Sequence, residues 1–433
     1  MKICLVSLGC TKNLVDSELI LGLFAQVNGE MVTKPEESDC IIINTCGFIE
    51  DAKKESIAMI LDMLDYRTKS RPIIVSGCLA ERYIEELKES LPEVDLIIPL
   101  KDYEKIGKVL ADFFKDDKFI DKKLDFEKRL RSTYSHLAYL RISDGCNNQC
   151  SYCAIPLIRG KYKSRLKSEI ISETKLLVKD NVKEIVLISQ DLTNYGNDLA
   201  EKENLTSLLK SITEIEGNFK IRLLYLYPDE ITDCLLDFMK NESKMIPYFD
   251  VPIQHASDKI LKLMNRRGNK EQLRFLFEKI RQIPNAVLRT TVMLGFPEET
   301  ETDFLILKTF IEEIKFNHLG SFLYSPEEGT ASFYKPTPSK EISTEHLNIL
   351  MEKQSWISLN HLEKLIGNIE EVIVEGYDKS ERVYYGRNYY FAPDEIDGRI
   401  NFRSKKKLKI GDTCQVKITE CDFYQLKGEV HED

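Results

Sequence analysis

A chain of 433 residues is too long for one ordinary hydrophobic core, so two or three domains are expected. With 42% hydrophobic and 30% charged residues it reads as a soluble globular protein, and it has no run of about 18 apolar residues to cross a membrane. The formal charge of −10 disfavours non-specific binding to nucleic acid, though not a local basic groove. Eleven cysteines are too sparse for a disulfide scaffold, and their grouping points to metal in a reducing cytoplasm.

The chain opens on MKICLVSLGC, where one lysine, a short apolar run and Leu8-Gly9-Cys10 imitate a bacterial lipoprotein signal. The run is at the lower limit for such a segment and the polar TKNLVDSE follows at once, so it is expected to fold with the rest. Residues 1–114 alternate β-branched runs at 2–8, 40–44, 72–77 and 94–99 with helical spacing near 14–26, 50–65, 80–90 and 102–114. Repeated βα units imply a parallel sheet with helices on its faces. Residues 115–131 carry twelve charged side chains in seventeen positions, which reads as a solvated connector or charged helix.

A second βα series follows. Strands are expected at 136–143, 184–189, 220–226, 248–253, 287–294 and 318–324, with helices near 167–179, 204–215, 229–241, 257–283 and 300–314. Six consecutive βα units suggest a barrel or open barrel of six strands. A Pro-bearing stretch then leads to a helix at about 344–366. From Asn368 onward short alternating strands with turns between them suggest a small antiparallel barrel of the OB type.

The cysteines say most about chemistry. Cys146, Cys150 and Cys153 form a CxxxCxxC loop, and the next cysteine is distant, at Cys234. Three thiolates can hold three irons of a cubane iron–sulfur cluster, leaving the fourth iron open, as a catalytic metal site requires. A zinc knuckle would pair two such hooks, and only one stands here. Cys10, Cys46 and Cys78 each sit just past one of the first three expected strands, at the edge where ligands of parallel sheets gather. They are candidates for a second three-ligand cluster, whereas Cys4 and Cys40 read as small buried hydrophobes.

Polar residues also mark strand ends in the second series: Gln190 and Asp191, Tyr225 and Tyr227, Gln254 and His255, Gly295-Phe296-Pro297, and Tyr324-Ser325. Each alone fits a turn or cap; together, at the edge where a barrel places its site, they fit a pocket. Arg289 suits a buried hydrogen-bonding role as well as a catalytic one. Lys405-Lys406-Lys407 suits a solvated turn or a nucleic-acid patch. The aromatic string VYYGRNYYF could stack bases. However, residues 368–433 hold 11 Lys and Arg against 14 Asp and Glu, a net −3 that is poor for gripping phosphates.

The runs GCTKNLVDSE, GCNNQCSYCAIPLIRG, DVPIQHAS, GFPEETE, YSPEEGT and APDEIDG resemble the radical S-adenosylmethionine (SAM) methylthiotransferases over nearly the whole chain. The resemblance implies an α/β architecture in three parts. Residues 1–114 would be the methylthiotransferase amino-terminal domain, 115–134 a charged linker, 135–366 a radical SAM partial (β/α)6 barrel, and 367–433 a TRAM-type antiparallel β-barrel. It further implies two 4Fe–4S clusters as cofactors, one on Cys146, Cys150 and Cys153 that binds SAM, and one on Cys10, Cys46 and Cys78 that carries sulfur. Tyr152, Gln190, Asp191, Gln254 and His255 would line the SAM site. The radical attack suits an unactivated C–H bond that no base can ionise. Within the family, the motifs lie nearest the branch acting on an aspartate of small-subunit ribosomal protein twelve. The other branch, acting on a modified adenosine of transfer RNA, usually reads nearer to GCQMN, CxFCIVP and LPVQSGS. A cytoplasmic enzyme of a protein substrate is therefore expected, its acidic terminal barrel docking the basic ribosomal protein through Asp394, Glu395 and Asp397. A two-cluster electron-transfer protein, or an assembly factor with structural metal, would leave the six-strand barrel without a use.

Overall fold

The computed structural model describes residues 1–201 and 203–432. The first sheet grows from runs of branched residues whose side chains alternate between its faces. Strands β1 (Lys2–Ser7), β2 (Glu30–Met31), β3 (Cys40–Thr45), β4 (Ile73–Gly77) and β5 (Leu96–Pro99) are parallel, in the order β2-β1-β3-β4-β5. Ile42, Ile74 and Ile98 face Leu23 and Phe24 of the helix Thr11–Ala25. Ile41, Ile43, Ile73 and Val75 face Ile60 and Leu87 on the other side. The expected helix at 80–90 is two helices, Cys78–Arg82 and Ile84–Ser90, and the one at 102–114 begins as a 3-10 turn over Leu100–Lys105.

The connector differs from a solvated strand of charges. Phe119 is buried in the amino-terminal core, and Phe126 lies under the Arg165 guanidinium, 3.5 Å from the ring centroid. Arg129 pairs with Glu18 at 3.4 Å and Glu173 at 3.1 Å with almost no exposure. The reason is register: Phe119, Phe126 and Arg129 turn inward, while most of the remaining charges, with Ile120 and Leu130, face water.

The central domain carries β6 (Leu137–Arg141), the small hairpin β7 (Ser143–Asp144) with β8 (Lys163–Ser164), and then β9 (Glu184–Ile188), β10 (Lys220–Leu223), β11 (Met245–Asp250), β12 (Val287–Leu294) and β13 (His318–Leu323). Six of them form one parallel sheet in chain order, β6-β9-β10-β11-β12-β13. Among the described residues no pairing joins β6 to β13, so the sheet is an open arc. The expected helix at 257–283 is two, Asp258–Leu263 and Lys270–Arg281, because Gly268 (φ 88°) turns the chain and Asn269 caps the second helix. The final helix runs over Lys340–Leu362. No helix among the described residues is long and apolar enough to cross a membrane.

Strands β14 (Ile369–Asp378), β15 (Val383–Arg387), β16 (Arg399–Arg403), β17 (Thr413–Cys421) and β18 (Gln425–Val430) close a barrel, β14-β15-β16-β18-β17. Four of its pairs are antiparallel and β16 with β18 is parallel, so the barrel is not purely antiparallel. The segment between β15 and β16 leaves Asp394 and Glu395 exposed but turns Asp397 and its aromatic residues inward. Tyr390, Phe391 and Ala392 pack with Tyr139, Val186, Tyr248 and Val287 inside the arc, and Val15 and Leu19 of the amino-terminal helix join the same core. Asp397 is buried, receiving the Tyr248 hydroxyl and Arg289 Nε at 3.1 Å, while Asp394 receives the Tyr139 hydroxyl. Arg289 also pairs with Asp250 at 2.8 Å, so its role is structural. Arg387 joins Glu375 (2.6 Å) to Glu184, which also holds Arg222 at 2.7 Å. The docking role assigned to Asp397 is therefore overturned, whereas Asp394 and Glu395 stay exposed. The carboxylates meet donors at the starts of the arc strands, and the rings fill its floor.

Candidate active site

Cys10, Cys46 and Cys78 follow β1, β3 and β4, which are neighbours in the sheet, so adjacency of strands brings together thiols 36 and 32 residues apart. Gly9 permits the close approach. It has φ +87°, and a Cβ there would lie 2.8 Å from Cys46 Cβ and 3.0 Å from its Sγ. Fully buried Asn13 ties the strand ends together. Its Nδ2 donates to the carbonyls of Leu8 and Thr45, both at 3.0 Å, and its Oδ1 faces Cys78 Sγ at 3.3 Å. Burial pushes the Cys78 thiol up to about 12 and raises Cys46, and the charges of neighbouring triad members add to both. Cys10 differs: against the effect of burial, Lys12, Arg159 and the amides of Asn13 and Lys12 hold it below its ordinary value.

The second triad sits on the loop that the β7–β8 hairpin pins at both ends, with Cys146 N donating to Gly160 O at 3.2 Å. Burial pushes Cys146 up to about 11 and Cys153 up to about 12, with each affected by the charge of Cys150. Donors surround the sulfurs. Asn148 N lies 3.4 Å from Cys146 Sγ, and the Tyr227 hydroxyl lies 3.7 Å from Cys150 Sγ. Arg266 reaches Cys150 Sγ at 3.9 Å, stacks over Tyr227 and anchors on Pro252 O at 2.7 Å.

One short helix, Ile155–Arg159, joins the triads. Cys78 packs on Ala154 and Ile158. The buried Arg159 guanidinium meets Asp144 at 3.1 Å, Asp16 at 2.7 Å, Asn13 Oδ1 at 2.8 Å and Cys78 Sγ at 3.5 Å. A clasp closes the same side, where buried Glu327 of YSPEEGT holds Arg82 at 2.6 Å and Lys53 at 2.9 Å. Lys12, beside Cys10, lies over the ring of Tyr225.

The expected strand-end residues border this space unequally. Tyr152 receives Arg266 at 3.4 Å and meets Phe296 edge-on. Both amide atoms of the Gln190 side chain are buried without a hydrogen-bond partner among the described residues. Asp191 is committed to Asn148 (2.6 Å) and Thr193 (2.7 Å), and burial pushes its carboxyl up to about 6. His255 is fully buried; its Nδ1 accepts from Ser257 N at 2.9 Å, its Nε2 is unpaired among the described residues, and burial pushes it down to about 3. Gln254 and Tyr225, at the ends of neighbouring strands, both have φ 67°, a conformation that costs energy for non-glycine residues and gathers at functional sites. Lys12, Asn13, Arg159 and Arg266 escaped the sequence reading. The first three lie inside quoted motifs, but Arg266 falls in the middle of an expected helix and had no signal.

Among the described residues no three His, Cys, Asp or Glu side chains gather as ligands of one metal ion do. The ligands of a multi-iron cluster stand on different irons and need not converge on one point. Family models match in chain order: the uncharacterized protein family UPF0004 over residues 2–99, the radical SAM superfamily over 140–311 and the TRAM domain over 366–430. Among curated relatives, the ribosomal protein uS12 methylthiotransferase RimO of Clostridium kluyveri is 48% identical, covering 100% of this chain and 99% of that one. The protein of the same name from Acetivibrio thermocellus is 45% identical over 99% and 98%. Of solved structures, the radical SAM methyltransferase TsrM from Kitasatospora setae, with cobalamin and a [4Fe-4S] cluster bound, shares the fold. Its TM-score is 0.58 at 12% identity, covering 85% of this chain and 78% of that chain.

Proposed function

This chain belongs to the RimO family of ribosomal protein uS12 methylthiotransferases, and on that premise we propose how its residues serve the reaction. It is a radical SAM methylthiotransferase acting in the cytoplasm on an aspartate of protein uS12. Cys146, Cys150 and Cys153 hold one 4Fe–4S cluster, and Cys10, Cys46 and Cys78 hold a second. When bound, SAM and the two clusters supply the hydrogen abstraction, the sulfur and the methyl group, which no side chain here could supply.

The observation that carries this reading is the junction of the triads. Cys78 rests on Ala154 and Ile158, and Arg159 touches the surroundings of both. A carbon atom attacked from one triad and sulfurated from the other must sit within reach of both, and the five-residue helix enforces that nearness. The donor set fits sulfur clusters. Thiols are flanked by N–H and O–H groups from Asn148, Tyr227, Arg266 and Arg159, donors suited to the sulfurs of a cluster. Tyr152, Gln190 and Gln254 form the SAM shell, with the unpartnered Gln190 amide offered to its polar groups. Asp191 and His255 hold the loops that carry them.

The test is anaerobic. Reconstituted protein is given reductant, sulfide and SAM, together with a uS12 peptide and a transfer-RNA anticodon stem. A methylthio group in place of hydrogen on the peptide aspartate, read by mass spectrometry, is expected. Modification of the RNA alone would refute the assignment.

A further inference from the structure

Lys12 carries a charge that no carboxylate answers; the one protein group shown to feel it is the Cys10 thiol two residues away. It is 7% exposed, and among the described residues its ammonium enters no hydrogen bond or ion pair; it lies 3.2 Å from the centroid of the Tyr225 ring. Most neighbouring cations are treated otherwise, Arg266 over the Tyr227 ring being the other without a carboxylate. Arg141 and Arg159 share Asp16, Arg129 has Glu18 and Glu173, and Arg82 has Glu327. A ring face compensates an ammonium only in part, so this one is free to take an anion.

Its position narrows what the missing partner is. Lys12 is two residues from Cys10 of one triad. Tyr225 is two residues from Tyr227, whose hydroxyl touches Cys150 of the other. Tyr225 is held in its strained backbone conformation by Asp250, which accepts from its amide at 2.9 Å, and by Leu192 N, which donates to its carbonyl at 3.1 Å. The protein therefore keeps a cation without a carboxylate partner where the amino-terminal triad meets the strand-end ring of Tyr225.

We propose that Lys12 anchors the side-chain carboxylate of the substrate aspartate and selects it over asparagine. This rests on the function proposed above. The carboxylate carbon is bonded directly to the β-carbon that reacts, so fixing the carboxylate fixes the reacting carbon to within one bond. An ammonium offers three donors and a full charge, which suits a carboxylate and gives a neutral amide much less.

The test uses full-length reconstituted protein as wild type, Lys12→Arg and Lys12→Met. Methionine keeps an unbranched chain over Tyr225 without the charge. Fluorescence anisotropy measures the affinity of each protein for uS12 peptides carrying Asp or Asn at the target position, and iron content is measured in parallel. The wild type is expected to favour the Asp peptide by roughly tenfold or more. Lys12→Arg is expected to retain most of that preference, and Lys12→Met to bind both peptides alike at unchanged iron content. A Lys12→Met protein that keeps the preference, or a wild type that lacks it, overturns the inference. So does loss of iron in Lys12→Met, because Lys12 would then serve the amino-terminal triad. A wild type that binds neither peptide overturns the functional reading itself.

Discussion

Replacing Asp397 by alanine asks whether the carboxy-terminal barrel is the fixed floor of the central arc. The Asp397 carboxylate receives the Tyr248 hydroxyl, Arg289 Nε at 3.1 Å and Ala392 N at 3.1 Å, all in the interior. Removing one partner of a buried ion pair costs about 3–5 kcal/mol, and each buried donor left unpaired about 1–3 kcal/mol. Arg289 retains Asp250 at 2.8 Å, so the lower end applies and a loss of about 3 kcal/mol is expected. Glu395, two residues earlier, is exposed and among the described residues bonds only Arg399, at 3.2 Å, so Glu395→Ala should cost no more than about 0.5 kcal/mol. Because a chain of three parts need not unfold in one step, the measurement should be local. Native-state hydrogen exchange of the β14–β18 amides and tryptic cleavage near Lys364 both report opening of this contact. If the two variants agree within about 0.5 kcal/mol, the barrel is not a floor and the reasoning fails.

Two further outcomes can be stated. Burial pushes the Glu299 carboxyl from 4.5 up to about 7, against the amides of Phe296 and Gly295. Between those values the native chain keeps a proton the unfolded chain has released, so stability falls as pH rises through that window, by at most about 3 kcal/mol. Thermal unfolding of Glu299→Gln should lack this fall; melting curves that stay parallel from pH 4.5 to 8 would refute it. Gly9→Ala places a methyl against Cys46 at a backbone angle alanine resists, at about 1–2 kcal/mol before any clash. Reconstituted iron should fall towards that of a Cys46→Ala variant, and full iron would contradict the proposed second cluster.

Much of this protein was legible in its sequence, for definable reasons. Branched runs and three- to four-residue spacing located the strands of both sheets except the two-residue β2, because each of the longer ones must bury apolar side chains at a fixed period. The CxxxCxxC loop needed no tertiary information, since its thiols are local in sequence. Cys10, Cys46 and Cys78 were legible because consecutive parallel strands deliver their ends to one edge. Period and spacing are local properties, and a sequence carries them intact. What only the tertiary structure decided were relations between distant surfaces. Asp397 looks like a solvent charge until the donors of Tyr248 and Arg289 stand opposite it. Arg129 looks like one charge among twelve until Glu18 and Glu173 enclose it. Lys12 acquires significance only because Arg141, Arg159 and Arg82 around it have carboxylates and it has none. The partner of a charge is set by packing across domains, and no local pattern encodes which side chain will face it.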